Sequence, residues 1–163
     1  MDLAVLLHNV RSLYNIGAFF RTADAVGVSK IFLSGFTGAP PATQIAKTAL
    51  GSEKTVPWER RDVHDVITEY RQSGRETAAV ETVADAVDLF DWEPRFPLLV
   101  VFGHEVDGLP AEVVERCDAR VRIPMAGLKR SLNVATAGGV VLYELFRKHR
   151  AGGKLESCPA CWR

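Results

Sequence analysis

The sequence predicts an α/β domain in which a mostly parallel sheet carries helices on both faces. Three observations support this. Short β-type runs alternate with helical patterns from Leu3 to Lys148, the order that builds parallel sheets with crossover helices. The run Leu98–Phe102 is continuously apolar, as expected of a strand buried on both faces. The helical stretches are punctuated by N-capping residues and by terminal glycines.

Leu3–Leu7 reads as the first strand. Asn15 is placed as the N-cap of a helix to Val26, where Phe19, Ala23 and Val26 share a face and Gly27 ends it. Lys30–Ser34 is the second strand, closed by Gly35, and Thr43–Leu50 a short helix followed by Gly51. Thr55–Trp58 is expected as a short strand despite Pro57. Asp62 caps a helix to Gln72 that turns Val63, Val66, Ile67 and Tyr70 inward. Glu76–Val80 and Leu98–Phe102 are strands, and Pro110 opens a helix to Glu115. Arg120–Ile123 is the last strand and Leu132–Lys148 the last helix. Neither a repeat nor a linker is visible. Residues 1–150 are expected to form one domain and 151–163 a short tail, because Gly152-Gly153 interrupts the helical pattern.

The chain has 163 residues, 47% apolar and 25% charged, the balance of a single soluble domain. Three cysteines give no disulfide framework and suit a reducing cytosol. Met1–Leu7 is apolar but short, and no run approaches the roughly 20 apolar residues of a membrane span. The expectation is a cytoplasmic protein without a membrane partner. Net charge is zero but unevenly spread. From Arg120 to Arg163 nine Lys/Arg stand against two Asp/Glu; from Glu76 to Asp118 two stand against eleven. Such asymmetry builds one basic face for a phosphate-rich ligand, or else leaves two solvated runs; charge alone does not choose.

Three loops carry candidate chemistry. The first, Asn9–Arg21, leads from the first strand into the first helix, where parallel sheets bind ligands. The second, Phe102–Pro110, follows the strongest strand. Its glycines, Gly103 and Gly108, allow a tight turn and close backbone approach, with Glu105 between them. The third, Arg122–Asn133, joins the last strand to the last helix. Ser131 is expected to cap that helix, leaving Asn133 in its first turn with a free amide. Lys129 and Arg130 flank the positive end of the same helix, where a phosphate is welcome. Ala135–Gly139 is a small-residue run inside a helix. Its glycines cost about 1 kcal/mol each relative to alanine, which close packing within the domain or across a dimer would offset.

Together, in this order, the loops resemble the SpoU–TrmH branch of the SPOUT methyltransferases. The resemblance lies in Arg11-Ser12 with Asn15 to Arg21, in Phe102-Gly103-His104-Glu105 with Gly108-Leu109-Pro110, and in Ile123-Pro124-Met125 with Ser131-Leu132-Asn133. It implies a sheet whose C-terminal part is tied in a deep trefoil knot, with S-adenosylmethionine bound in the knot loops around Val80, Gly103, Ile123, Met125 and Leu132. It implies a homodimer with its active site close to the interface. The substrate would be RNA, transfer RNA before ribosomal RNA, methylated on a ribose 2′-hydroxyl. Asn15, Arg21, Glu105, Ser131 and Asn133 fall on the functional polar positions, with Arg11, Lys129 and Arg130 as RNA contacts. A guanidinium hardly deprotonates, so Arg21 is expected to grip the adjacent phosphate and stabilise alkoxide character while Asn15 orients it and Glu105 orders the loop.

Two features depart from larger relatives. The chain begins at its first strand, without an RNA-capture domain ahead of it, so RNA selection is expected from the core surface, a dimer or a partner. Cys158-Pro159-Ala160-Cys161 is half a zinc-ribbon spacing in the tail; an unliganded tail, a shared zinc and an intersubunit disulfide all remain open. No metal site is expected in the domain itself. The rival readings are a non-catalytic RNA-binding module and a dinucleotide-binding oxidoreductase; against the latter, G-x-G-x-x-G is missing after the first strand.

Overall fold

In a computed structural model that describes residues 1–152, the chain forms a seven-stranded sheet, every pair parallel. The strands are β1 (Leu3–His8), β2 (Lys30–Ser34), β3 (Trp58–Arg60), β4 (Glu76–Val80), β5 (Val87–Asp88), β6 (Leu98–Phe102) and β7 (Ala119–Arg122), in the spatial order β3-β2-β1-β6-β4-β7-β5. The helices are α1 (Leu13–Val26), α2 (Thr43–Ala49), α3 (Ser52–Thr55), α4 (Val63–Gln72), α5 (Ala111–Arg116) and α6 (Val134–Gly152).

Strand alternation divides the core in two. Leu3, Val5, Leu7, Val100 and Phe102 point to one face, where Phe19 and Phe20 of α1 and Val141, Leu142 and Leu145 of α6 cover them. Ala4, Leu6, Leu99 and Val101 point to the other, against Val63, Val66 and Ile67 of α4 and Val113 and Val114 of α5. The central pair β1 and β6 is buried on both sides, which is why its sequence reads as uninterrupted hydrocarbon. Among the described residues, no helix is long and apolar enough to cross a membrane.

Several boundaries differ from expectation. Ser12, not Asn15, caps α1: its hydroxyl accepts the Asn15 N–H, so Asn15 lies in the first turn. Asn133, not Ser131, caps α6, and its side-chain oxygen accepts the N–H groups of Ala135 (2.9 Å) and Thr136 (3.3 Å). The third strand begins after Pro57, because Ser52–Thr55 closes a helical turn instead. The Pro57 carbonyl still accepts the Ile31 N–H, so the ring sits where no donor is needed. The two-residue strand β5 has no counterpart in the sequence reading, and α6 continues to Gly152 rather than ending at Lys148. Cys158 and Cys161 lie outside the described residues.

Candidate active site

The loops after β1, β4, β6 and β7 leave the sheet at its carboxyl edge, where ligands bind in open parallel sheets. The turn after β6 is closed by paired backbone hydrogen bonds between His104 and Gly108 (3.1 and 3.0 Å). A Cβ on Gly103 would stand 2.5 Å from the Gly108 carbonyl, so only glycine fits. The turn sends Glu105 across to the start of α1. Its carboxylate accepts the backbone N–H of Arg11 and of Ser12, each at 2.9 Å, and the Asn15 amide at 3.0 Å. The Asn15 side-chain oxygen then accepts the Asn133 amide at 3.2 Å. Three segments far apart in sequence are joined by one chain of hydrogen bonds, Glu105 to Asn15 to Asn133.

The network fixes the charge of its central member. Burial pushes the Glu105 carboxyl up, but the donors from Arg11, Ser12 and Asn15 outweigh burial and hold it below its ordinary value. It is a carboxylate at neutral pH. Cys117, the one cysteine among the described residues, is buried with its thiol pushed up to about 12, first by burial and then by Asp118; it is no nucleophile.

Beside the network lies a cavity of about 390 Å³. All five residues expected to meet a cofactor line it: Val80, Gly103, Ile123, Met125 and Leu132. Glu105, Ser131 and Arg130 line it too. Asn15 and Asn133 stand on its Glu105 side, tied to that carboxylate. Arg11 and Lys129 are exposed at its approaches, on the first and third loops. Arg21 is elsewhere. It is exposed on α1, in a separate shallow depression with Lys47 and Thr48 of α2 and Tyr143 of α6. Within one chain, the structure unites four of the five expected catalytic residues and leaves Arg21 apart.

Glu81 is a site residue that the sequence reading passed over. One carboxylate oxygen accepts the Leu109 N–H at 2.9 Å and the other the Thr82 N–H at 2.8 Å. It occupies the space above Gly108 that a side chain there would need, and so ties the end of β4 to the β6 turn. The available signal was a charged residue immediately after a buried strand at the carboxyl edge.

Residues 2–143 match the SpoU rRNA Methylase family. The tRNA (guanosine(18)-2′-O)-methyltransferase of Thermus thermophilus is 35% identical over 153 residues, 93% of this chain and 78% of that protein. A TrmH/SpoU tRNA modifying enzyme of A. aeolicus superposes with TM-score 0.85 at 33% identity, covering 93% of this chain and 77% of the other. An AdoMet-bound rRNA methyltransferase of Sinorhizobium meliloti superposes with TM-score 0.83 at 36% identity; 90% of this chain is covered but only 56% of the other. The sheet is that of the SPOUT-type RNA methyltransferases. The chain spans little more than half of the Sinorhizobium protein. It belongs to the SpoU rRNA Methylase family.

Proposed function

We propose that this chain is an S-adenosylmethionine-dependent RNA methyltransferase that modifies a ribose 2′-hydroxyl, with transfer RNA the first substrate to test and ribosomal RNA the second. The observation that carries the reading is the convergence of Asn15, Glu105 and Asn133 in one network beside the cavity. The cavity suits the cofactor. Its volume lies within the usual range for small-molecule sites, and Val80, Phe102, Ile123 and Leu132 give apolar surface among its polar lining residues. Glu81, Glu105 and Asp107 on its lining outnumber Arg122 and Arg130, an acidic balance that suits a cation. The cofactor supplies an electrophilic methyl group on a sulfonium.

The protein's own part is orientation and electrostatics. Glu105, kept ionised, pins the first loop by its N–H groups, so Asn15 and Asn133 present their amides from fixed positions. Arg130 and Ser131, on the cavity rim, are placed to receive the phosphate beside the reacting ribose, with Arg11 and Lys129 as outer contacts. The trefoil knot that the family implies belongs to this reading, as does cytoplasmic action. So does a homodimer. Arg21 and Tyr143 share the outer α1–α6 face, and a second copy seated there would carry Arg21 of one protomer toward the cavity of the other.

Purified protein given radiolabelled S-adenosylmethionine and unfractionated tRNA, or ribosomal RNA in a parallel arm, should release a 2′-O-methylated nucleoside on nuclease digestion. Label found only on a base would overturn the ribose assignment. Mixing Arg21→Lys with Asn133→Ala should restore activity that neither variant shows alone; no rescue would count against a site shared between subunits.

A further inference from the structure

Just outside the cavity, on the same edge of the sheet, Phe36 stands 61% exposed. A lone exposed aromatic needs no special cause, but this one is held from several sides. Asn9 adopts a positive φ of 58° and accepts the Phe36 N–H through its side-chain oxygen at 3.2 Å. Gly35, with φ 62°, leaves open the space that the Asn9 amide fills. The Arg60 guanidinium donates to the carbonyls of Gly35 (3.4 Å) and Thr37 (2.6 Å). The buried Thr37 hydroxyl donates to Leu7 O and accepts the Val10 N–H, each at 3.0 Å. Beneath them, Asn9 donates to His8 Nε2 at 3.0 Å, and His8 Nδ1 lies 3.3 Å from the Ser34 hydroxyl. Asparagine is the side-chain-bearing residue that takes the left-handed region most readily, and the surrounding hydrogen bonds fix it there, so the loop presents Phe36 from a braced base.

The neighbours point to the occupant. The Phe36 ring meets the His104 ring at 5.9 Å and 77°, and His104 lines the cavity. Arg60 lies under the loop, and Arg11 is exposed on the segment that Thr37 braces. An exposed aromatic face beside the cavity, with an exposed arginine on the adjoining loop, suits a base with its phosphates better than an apolar protein surface. We infer that Phe36 is a stacking platform for a nucleobase of the RNA substrate, at or next to the nucleotide whose ribose enters the cavity. The inference rests on the proposed RNA methyltransferase reading.

The test compares wild type with Phe36→Ala, Phe36→Leu, Phe36→Tyr and Phe36→Trp on bulk tRNA and on ribosomal RNA. KM for RNA, kcat, S-adenosylmethionine affinity by calorimetry and oligomeric state by sedimentation are measured for each. Loss of one stacked base predicts KM for RNA raised about fivefold to a hundredfold in the alanine variant. Cofactor affinity and sedimentation should not move, Tyr and Trp should restore KM, and Leu should not. An unchanged KM, a leucine variant as good as tryptophan, or a changed oligomeric state would each overturn the platform. If alanine lowers the melting temperature sharply, the contrast between Leu and Trp decides. Failure of the wild type to methylate either RNA sinks the underlying function instead, so the two failures are distinguishable.

Discussion

At Glu105 a single carboxylate answers three donors from another loop. Glu105→Gln turns one acceptor into a donor facing an N–H, so activity should fall at least tenfold, read as initial rate at saturating cofactor. The stability effect has a defined pH window. The folded group titrates below its unfolded counterpart, so its contribution is complete above the ordinary glutamate range, about 4.3. It is lost as pH falls through the depressed folded value. The melting-temperature gap between wild type and Glu105→Gln should therefore be widest above about pH 5 and close in more acid solution; a gap independent of pH would contradict the assignment. Asn133 holds two roles, which two substitutions separate. Asn133→Asp keeps the α6 cap but loses the donor to Asn15, so it should melt near wild type yet lose most methyl transfer. Asn133→Ala loses both and should also lose about 1 kcal/mol of stability, a few degrees by calorimetry.

At the scale of elements, the crossing of α1 and α6 is set by Gly138, where a Cβ would run into the Phe19 ring. Gly139 has open space instead. Alanine at 138 should therefore destabilise the fold by about 1–3 kcal/mol through overpacking. Alanine at 139 should be neutral or gain up to about 1 kcal/mol of helix propensity; thermal melts of the pair check both. The alternation of strands and helices was legible because β1 and β6 carry uninterrupted apolar runs, α1 and α4 have clear apolar faces, and Asp62 caps α4 as expected. The two-residue β5 was not, since nothing in Val87-Asp88 outweighs its loop context until β7 pairs with it. The cap errors share one cause: several good capping residues crowd each loop. Ser12 precedes Asn15 by one turn and claims α1. Ser131 and Leu132 turn to the cavity wall, which delays α6 until Asn133. The residue types of the site could be read from sequence, but which side chain caps and which bridges depended on tertiary placement.

For the whole molecule, the basic surplus of the C-terminal third proves partly spent. Arg120 pairs with Asp85 at 3.1 Å, Arg122 with Asp88 at 2.6 Å and Arg147 with Glu144 at 2.7 Å, while Lys148 reaches Glu144 and the carbonyls of Phe90 and Trp92. The acidic run from Glu76 to Asp118 supplies two of those partners, Asp85 and Asp88, so the two charge blocks answer each other in part. Lys129 and Arg130 stay exposed beside the cavity. Removing Arg130 should weaken RNA binding uniformly and lower the slope of log affinity against log salt by about 0.7, without changing the melting temperature; an unchanged slope would place Arg130 off the RNA path.

Asn15 and Asn133 meet although 118 positions separate them, and Asn133 is also the residue from which α6 starts. A nascent chain emerging from the ribosome can therefore pair most of its strands before it owns a binding pocket. The network closes only where α6 is docked, since Asn133 both caps that helix and bonds Asn15. Any ligand that prefers the docked state acts as a clamp on that docking, so cellular cofactor supply would set how long a newly made copy survives proteolysis as well as how fast it turns over.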